Sequence, residues 1–398
     1  MPLVLLRPDR RWPTRLAGAV VAGTVAAAAA DPPAVIKTSI GPGAPERLAD
    51  FTSTWGPLEV TTTGQVSIVG LLIDDGESTR FRLGDNTAAP TLTNTTVGYP
   101  VHEDLVLAFI HEVSYPFNAS STLTQDERWI SPRGFDHRRL EFSVQHDTWG
   151  KLWLGKGHMA ADTVTQIDLS GTAMAGHNTI SDHGGGLRFR DRDTGRLTST
   201  TIAAVFPDLD GDRLTRVRYD AAGVGGFTLS GSYSDLQRWD VSVRFQQDAE
   251  DTATGRLPGG AQQVRAGLAF QDDSHTDGND TQSLVGSASA AWAGGFTLTL
   301  SGGQQFAEQG PDGQYTYAKL GWRGRVLPFG ATAVSVDGWL GFDFVPGIDR
   351  AQAVGLQLAQ SIDGRALELF ASLRHHWLEG DADLEPIGVL LTGFRLQF

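Results

Sequence analysis

The chain of 398 residues contains no cysteine, and charged residues make up only 20% of it. Disulfides therefore cannot hold the fold together, which argues against a small extracellular scaffold. Long hydrophobic runs are also missing. Outside the N-terminus, no apolar stretch approaches the length of about 20 residues that a membrane-spanning helix needs. These absences favour one large domain, or two ordinary ones, in which backbone hydrogen bonds do most of the stabilising.

The N-terminus is the apolar exception, and it has the parts of a targeting segment. Its basic region contains Arg7, Arg10, Arg11 and Arg15. A small-residue apolar stretch follows over 16–29, and 26–30 offers several A-x-A cleavage motifs. We interpret residues 1–30 as a signal peptide that is cleaved near Ala30. A membrane anchor is the alternative.

Positive charge is scarce in the rest of the chain. The whole sequence carries 32 Lys and Arg against 46 Asp and Glu, a formal net charge of −14. Residues 1–30 hold four of the Arg and one of the acidic residues, so the mature chain has 28 basic and 45 acidic residues, or −17. A protein this acidic is a poor partner for nucleic acid.

Alternation of two kinds of residue is clearest at the C-terminus, which reads PIGVLLTGFRLQF. One face carries Leu390, Thr392, Phe394, Leu396 and Phe398, and the other carries Leu391, Gly393, Arg395 and Gln397. A period of two indicates a strand whose two faces have different surroundings. An exposed terminal Phe suits a barrel strand whose outer face meets lipid. The alternative is an edge strand of a soluble sheet.

The same pattern predicts sixteen strands. They cover 58–73, 91–99, 105–115, 137–147, 151–157, 213–221, 226–235, 238–248, 262–272, 283–292, 296–306, 315–323, 331–342, 351–361, 367–377 and 386–398. An even number suits a closed bacterial barrel, and the connections alternate between short and mostly long, as its two sides require. We therefore predict an all-β, 16-stranded antiparallel transmembrane barrel over 57–398, preceded by a periplasmic lead-in over 31–56. Eighteen strands are the alternative.

Side-chain type along the strands supports this interpretation. Val241, Val243 and Phe245 share one face of a predicted strand, opposite Ser242 and Arg244. Six tryptophans near predicted strand ends fit an aromatic girdle at the membrane interfaces. They are Trp149, Trp153, Trp239, Trp292, Trp322 and Trp377.

Residues 157–212 interrupt the strand pattern for about one-seventh of the chain. Loops this long inside a compact domain are usually functional or disordered. The lumen of a barrel of about sixteen strands is wide enough to form an aqueous channel, and a loop folded into that lumen would narrow it. We predict that 157–212 is such a constriction loop. A solvated, salt-bridged extracellular loop is the alternative.

Charged residues of this loop and of the neighbouring strands are the candidates for the narrowest part of the pore. They are Arg139, Asp162, Asp168, Arg188, Arg190, Arg216 and Arg218. Arg188 and Arg190 would share one side of an extended segment, together with Arg192. The wall arginines should point into the lumen, because each alternates with apolar neighbours. Selectivity is set where the lumen is narrowest, so we predict a weak anion preference in spite of the negative net charge.

Motifs for other chemistry are weak. No histidine lies in a G-x-S-x-G or H-E-x-x-H context, so we predict that the protein is not an enzyme. Asp208, Asp210 and Asp212 resemble a calcium-binding loop, but the terminal Glu of an EF-hand is missing. We predict no cofactor and no resident metal, and weak Ca²⁺ binding by the acidic loops stays open.

Several segments resemble a known family. FDHRRLEFSVQHDTWGKLWLGKG is similar to the segment of trimeric Gram-negative porins that leads into their constriction loop, and RVRYDAAGVGGFTLSGSYS to their next hairpin. IDLSG and GGLRFRDRDTGRL resemble porins of the alphaproteobacterial type in particular. The resemblance covers roughly 56–398.

The resemblance implies a sixteen-stranded barrel in the outer membrane of a Gram-negative bacterium, where it assembles as a homotrimer. It implies passive diffusion of small hydrophilic solutes through a charged constriction. Expected partners are outer-membrane lipid, lipopolysaccharide and the barrel assembly machinery, whose signal would comprise Phe398, Leu396 and Phe394. The alternative function is a specific channel for small anionic solutes such as carboxylates, or for sugars, and a soluble secreted β-protein is a more distant one.

Overall fold

The structure is a computed structural model that describes residues 51–126, 134–252, 255, 257–273, 281–308 and 310–398. The strands are β1 (Phe51–Trp55), β2 (Leu58–Asp74), β3 (Thr79–Asp85), β4 (Leu92–His102), β5 (Leu105–Ser114), β6 (Asp136–His146), β7 (Gly150–His158), β8 (Arg188–Asp191), β9 (Leu197–Thr201), β10 (Arg213–Asp220), β11 (Phe227–Ser234), β12 (Trp239–Asp248), β13 (Ala261–Asp272), β14 (Thr281–Trp292), β15 (Phe296–Ala307), β16 (Gln314–Gly324), β17 (Thr332–Val345), β18 (Ile348–Ile362), β19 (Leu367–Gly380), β20 (Leu384–Glu385) and β21 (Ile387–Gln397). The described helices are α1 (Ile202–Val205) and the 3-10 turns Ser120–Thr122, Ile180–Asp182, Ala249–Asp251 and Pro258–Gly260. No described helix is long and apolar enough to cross a membrane.

Eighteen of the strands form one sheet, in which two positions are each shared by two strands. β3 pairs with the second half of β2, and β4 pairs with its first half along the same edge. β21 and β1 divide the other edge of β2 in the same way. The sheet therefore has sixteen positions, and the pairing of β21 with β2 closes it into an antiparallel barrel. The predicted sixteen-stranded barrel is confirmed.

Each of the sixteen predicted strands coincides with an observed one; for example, the strand predicted over 58–73 is β2, Leu58–Asp74. Two strands of the barrel escaped prediction. β1 lies at the end of the predicted lead-in, 31–56, which is therefore not irregular throughout. β3 lies in the segment between the predicted strands 58–73 and 91–99, which was interpreted as a long connection. The predicted signal peptide, 1–30, lies outside the described residues, as does the lead-in up to residue 50.

The two ends of the barrel differ in their connections. At one end, short segments such as 147–149 join neighbouring strands, and we call this end the turn side. At the other end, the loop side, residues 159–212 connect β7 to β10 and carry β8, β9 and α1. We call 159–212 the constriction loop, after the prediction made for 157–212.

The two faces of the barrel wall also differ. On β21 the outward Leu390 is 41% exposed, whereas the inward Leu391 is fully buried. Large apolar side chains cover the outside elsewhere too, as with Leu320 at 60% and Leu356 at 59% exposure. An apolar outer face and a polar inner face are what a barrel in lipid requires.

Phe398 closes the barrel at the turn side. Its backbone exchanges two hydrogen bonds with Gly64 of β2, at 2.7 and 2.9 Å. Its ring lies on the outward face of the same glycine, where an added Cβ would come within 2.6 Å of the ring carbons Cε2 and Cζ. The missing side chain of Gly64 therefore makes the seat for the terminal aromatic ring.

Candidate functional site

The constriction loop lies against the inner wall of the barrel along β11 to β19. Its backbone amides donate hydrogen bonds to wall hydroxyls, from Ile167 to Ser287 Oγ at 3.3 Å and from Leu169 to Ser289 Oγ at 3.0 Å. Both serines are buried. The small polar residues that alternation places inside the barrel therefore hold the loop rather than face water, and the predicted inward folding is confirmed.

Buried ion pairs strengthen this attachment. The Nζ of Lys319 on β16 lies 2.7 Å from Asp168 Oδ2 of the loop, and it donates to the carbonyl of Gly176 at 2.7 Å. The side chain of Lys319 is 0% exposed. Beside it in the wall, Arg374 pairs with Asp337 at 2.7 Å. A buried charge needs a partner, so Asp168 and Lys319 tie the loop to one place on the wall.

Apolar packing completes the attachment. The ring of Phe206 in the loop packs against Trp339 of β17, with centroids 4.9 Å apart, and against His376 of β19. Leu187 and Phe189 are fully buried in the same cluster as residues of β2. The loop is thus held by backbone, charge and apolar contacts together, which is what a fixed constriction needs.

The structure brings together the three predicted wall arginines, close to where the loop begins. Arg216 pairs with Glu141, and these two side chains are 1% and 0% exposed. Arg139 also pairs with Glu141 but is 19% exposed, and Arg218, at 13%, pairs with Asp220 at 2.8 Å. All three face inward, as predicted, but Arg216 is sealed from the lumen, and Arg139 presents the largest exposed fraction to it.

Trp153 of β7 is a member of this group that sequence reasoning missed. It was predicted to lie in the outer aromatic girdle, but its register partners Ser143 and Arg218 are inner residues. Lys151 Nζ lies 3.9 Å from the centre of the Trp153 ring, and the Arg139 guanidinium lies 5.8 Å from it. The alternation of Lys151, Trp153 and Gly155 with Leu152 and Leu154 was the signal that could have found it.

Arg188 and Arg190 are not part of this group. They share one face of β8, as predicted, but they pair with carboxylates of other loops, Asp126 at 2.7 Å and Asp75 at 2.8 Å. Arg192 pairs with Asp383 at 2.7 Å. β8 joins β9 and β20 in a separate three-stranded sheet. The expectation that these arginines meet the wall arginines at the narrowest point is corrected. Each of them instead forms an ion pair with a carboxylate of a loop that is distant in sequence.

The two predicted loop carboxylates turn toward the wall. Asp162 lies 2.7 Å from His158 Nδ1 and is 4% exposed, and Asp168 is bound to Lys319. Burial acts to raise the pKa of Asp168, but the charge and hydrogen bond of Lys319, together with hydrogen bonds from Ser170, outweigh it and hold that pKa below its usual range. Both carboxylates anchor the loop to the wall. Because they are buried there, they add little negative charge to the open lumen.

The DLDGD segment closes the base of the loop. Asp210 accepts hydrogen bonds from the amides of Thr163 and Thr165, at 2.6 and 3.1 Å. Burial, and then the charge of Asp208, raise the pKa of Asp210 well above its usual value. Asp212 instead pairs with Arg238. Within the part of the chain that the structure describes, no three His, Asp or Glu side chains are arranged to hold a metal ion.

Comparison with known proteins identifies the family. The model of the Gram-negative porins matches residues 16–375, most of the chain. The protein belongs to the Gram-negative porin family. No curated protein matches it. A porin is a channel and not an enzyme, so the barrel forms a diffusion pore in the outer membrane.

Solved structures share the fold of this porin at low sequence identity. The anion-selective porin from Comamonas acidovorans is 17% identical, with a TM-score of 0.56 over 86% of this chain and 100% of its own. OmpF of Salmonella typhi, in a complex with daunomycin, is 10% identical, with a TM-score of 0.56 over 87% and 100%. OmpT of Vibrio cholerae in a trimer form is 12% identical, with a TM-score of 0.53 over 86% and 99%. At these identities the likeness concerns the fold alone.

Proposed function

We propose that this porin prefers small anions, carboxylates among them, over cations. One observation carries the proposal: in the group around Trp153, cationic side chains stay partly exposed, whereas Asp162 and Asp168 of the constriction loop are buried against the wall. Selectivity follows the charges that a solute meets at the narrowest point, not the net charge of the chain. A substrate-specific channel for carboxylates is the narrower form of the same proposal; nothing in the described residues favours sugars.

The position of the loop defines the path that solutes take. Inner residues of β11 to β18, such as Ser242 and Ser335, are buried beneath the loop. Asn94 and Thr96 on the inner face of β4 and Gln145 on that of β6 remain partly exposed, whereas Glu141 and Ser143 of β6 are buried. We infer that solutes pass between the loop and the wall formed by β4 to β7. Arg139 and Lys151 lie on that wall, which supports an anion preference.

Replacing Arg139 by Gln should move selectivity toward cations. The variant removes one partly exposed charge, and Glu141 keeps its buried partner Arg216, so the barrel should still fold. We expect the ratio of cation to anion permeability to rise about two- to fivefold, which corresponds to roughly 0.4–1 kcal/mol at a partly exposed site. The measurement is the zero-current potential of the purified pore across a KCl gradient.

The double variant Arg216→Ser with Arg218→Ser should shift the potential in the same direction. It is the less clean test, because it leaves Glu141 with Arg139 alone. Arg350→Gln is the matched control, since Arg350 pairs with Glu379 at the outer rim and is 45% exposed. A wild-type pore that favours K⁺ over Cl⁻, with no change in Arg139→Gln, would contradict the proposal.

We also propose that the porin is a homotrimer that meets its neighbours through the outer face of β2, β4, β5 and the start of β6. Hydrogen-bonded polar side chains interrupt the apolar outer face in this sector. Thr62 and Thr95 share a hydrogen bond at 3.1 Å, and His111 and His137 share another at 3.1 Å. Such groups suit a protein partner better than lipid. Native mass in mild detergent should correspond to three copies, and a single-copy mass would overturn the proposal.

The route to the membrane follows from the family. We propose that residues 1–30 act as a signal peptide cleaved near Ala30, and that the barrel assembly machinery recognises Phe394, Leu396 and Phe398. Lipopolysaccharide would then surround the apolar sectors of the barrel. Similarity of the loop segment to porins of the alphaproteobacterial type supports that finer assignment.

A further inference from the structure

Lys151 differs from the other inward cations around it. Arg139, Arg216 and Arg218 each form an ion pair with a carboxylate. Lys151 has no carboxylate partner within salt-bridge distance among the residues that the structure describes, and its Nζ instead lies 3.9 Å from the centre of the Trp153 ring. Asp220 and Glu141 lie near enough to act on this charge, but neither forms an ion pair with it, so the ammonium group is not bound directly by a carboxylate.

Trp153 holds that ammonium group in a fixed place. The face of an indole ring attracts a cation, and the attraction grows when the pair is partly removed from water. The ring itself cannot turn freely, because its Nε1 donates a hydrogen bond to Asp220 Oδ2 at 2.7 Å. Asp220 is fixed in turn by Arg218. The lysine is thus held over a ring whose own position is fixed by Asp220 and, through Asp220, by Arg218.

Arg139 supplies a second donor over the same ring. Its Nε and Nη2 are bound to Glu141, and its Nη1 makes no hydrogen bond with the other described residues. The guanidinium carbon lies 5.8 Å from the ring centre, so the two cations are no farther apart than that distance plus the 3.9 Å of Lys151. Two cations this close can each meet one carboxylate of a short dicarboxylate.

We propose that Lys151, positioned by Trp153, is a specificity-determining residue that binds small dicarboxylates on their way through the pore, with Arg139 as the second anchor. Lys151 touches the solute, and Trp153 acts through Lys151. The inference rests on the proposed anion preference and narrows its substrate class from anions in general to solutes with two carboxylates. A strongly hydrated ammonium suits a transit site, because it pairs with a carboxylate as a point charge and releases it again.

The test is block of the chloride current by added potassium succinate, with acetate for comparison, in single channels of the purified full-length porin. Wild type should be blocked by succinate at lower concentrations than by acetate. Lys151→Met should raise the half-blocking concentration of succinate about tenfold and that of acetate much less, because only succinate loses one of two anchors. Lys151→Gln gives a second variant if the first does not assemble.

Variants of the ring separate positioning from folding. Trp153→Leu keeps the charge of Lys151 but removes its support, so succinate block should weaken by a smaller factor, and Trp153→Phe should restore most of it. Lys156→Met is the matched control. It removes the same charge from the same strand, but Lys156 faces outward, is 39% exposed and pairs with Asp136. Its succinate block should equal that of wild type.

The outcomes distinguish the two proposals. If wild type prefers anions but Lys151→Met is blocked by succinate like wild type, the dicarboxylate site is wrong and the anion preference stands. If wild type shows no anion preference and Arg139→Gln changes nothing, the proposed function itself fails. Equal block by succinate and acetate in wild type would overturn the two-anchor geometry.

Discussion

Replacing Lys319 by Met should free the constriction loop from the wall and change the conductance of the pore. Lys319 and Asp168 are both buried, at 0% and 3% side-chain exposure. Without the ammonium, Asp168 would be an unpaired charge in a buried site, which costs roughly 3–5 kcal/mol. The loop can avoid that cost by leaving the wall, so we expect larger, noisier single-channel currents and a lower temperature for the loss of the folded band on denaturing gels.

Two further variants make this result interpretable. Asp168→Asn combined with Lys319→Met removes both charges of the pair and so leaves neither partner unpaired, and most of the loss should be recovered. Arg325→Met breaks an exposed pair with Asp363, in which the side chains are 59% and 51% exposed, and it should change stability by at most about 1 kcal/mol. Wild-type conductance and stability in Lys319→Met would mean that hydroxyl contacts and apolar packing suffice to hold the loop.

Replacing Phe398 by Asp should reduce the amount of folded barrel far more than it alters any pore that does form. The ring lies on the lipid-facing side over Gly64, where a charge costs on the order of 2–4 kcal/mol at the midplane and less near the interface. The carboxylate would also leave the seat at Gly64 empty at the point where β21 and β2 close the barrel. The measurement is the outer-membrane level of the heat-modifiable folded form.

Gly64→Leu tests the seat without adding charge. A side chain there would collide with the Phe398 ring, so assembly should fall although the terminal residue is intact. Gly231→Leu is the control, because Gly231 also faces outward and an added Cβ has its nearest neighbour at 3.7 Å. Normal outer-membrane levels of Phe398→Asp would show that the end of the chain does not direct assembly.

Much of the fold could be predicted from the sequence, because lipid outside and polar contacts inside impose a period of two on every long strand. The strands that were not predicted are those in which the period of two is absent or interrupted. β1 is exposed along its whole length and has no buried face. β3 ends at Asp85, and the chain leaves the sheet before β4 resumes the same position. An interrupted strand reads as a loop when only its local pattern is available.

The sequence was sufficient to predict which way the arginines of the candidate site face, but not which residues they pair with or which of them stay exposed. Alternation indicated that Arg139, Arg216 and Arg218 face inward, and the acids Glu141 and Asp220 stand two residues away from two of them. Which arginine stays exposed depends on where a distant loop covers the wall, and no local pattern contains that information. Trp153 was misassigned for a related reason, because nearness to a strand end was weighed before the face on which it lies.

The arginines of β8 have a consequence for the design of variants of this porin. Arg188, Arg190 and Arg192 pair with three different connections, those after β5, β2 and β19. Outer loops of a barrel are usually the places where a sequence can vary or accept an inserted peptide at little cost. Here those three segments share one strand as their common partner. A peptide grafted into any of them would strain the other two, so epitope display on this scaffold has fewer independent positions than its loops suggest.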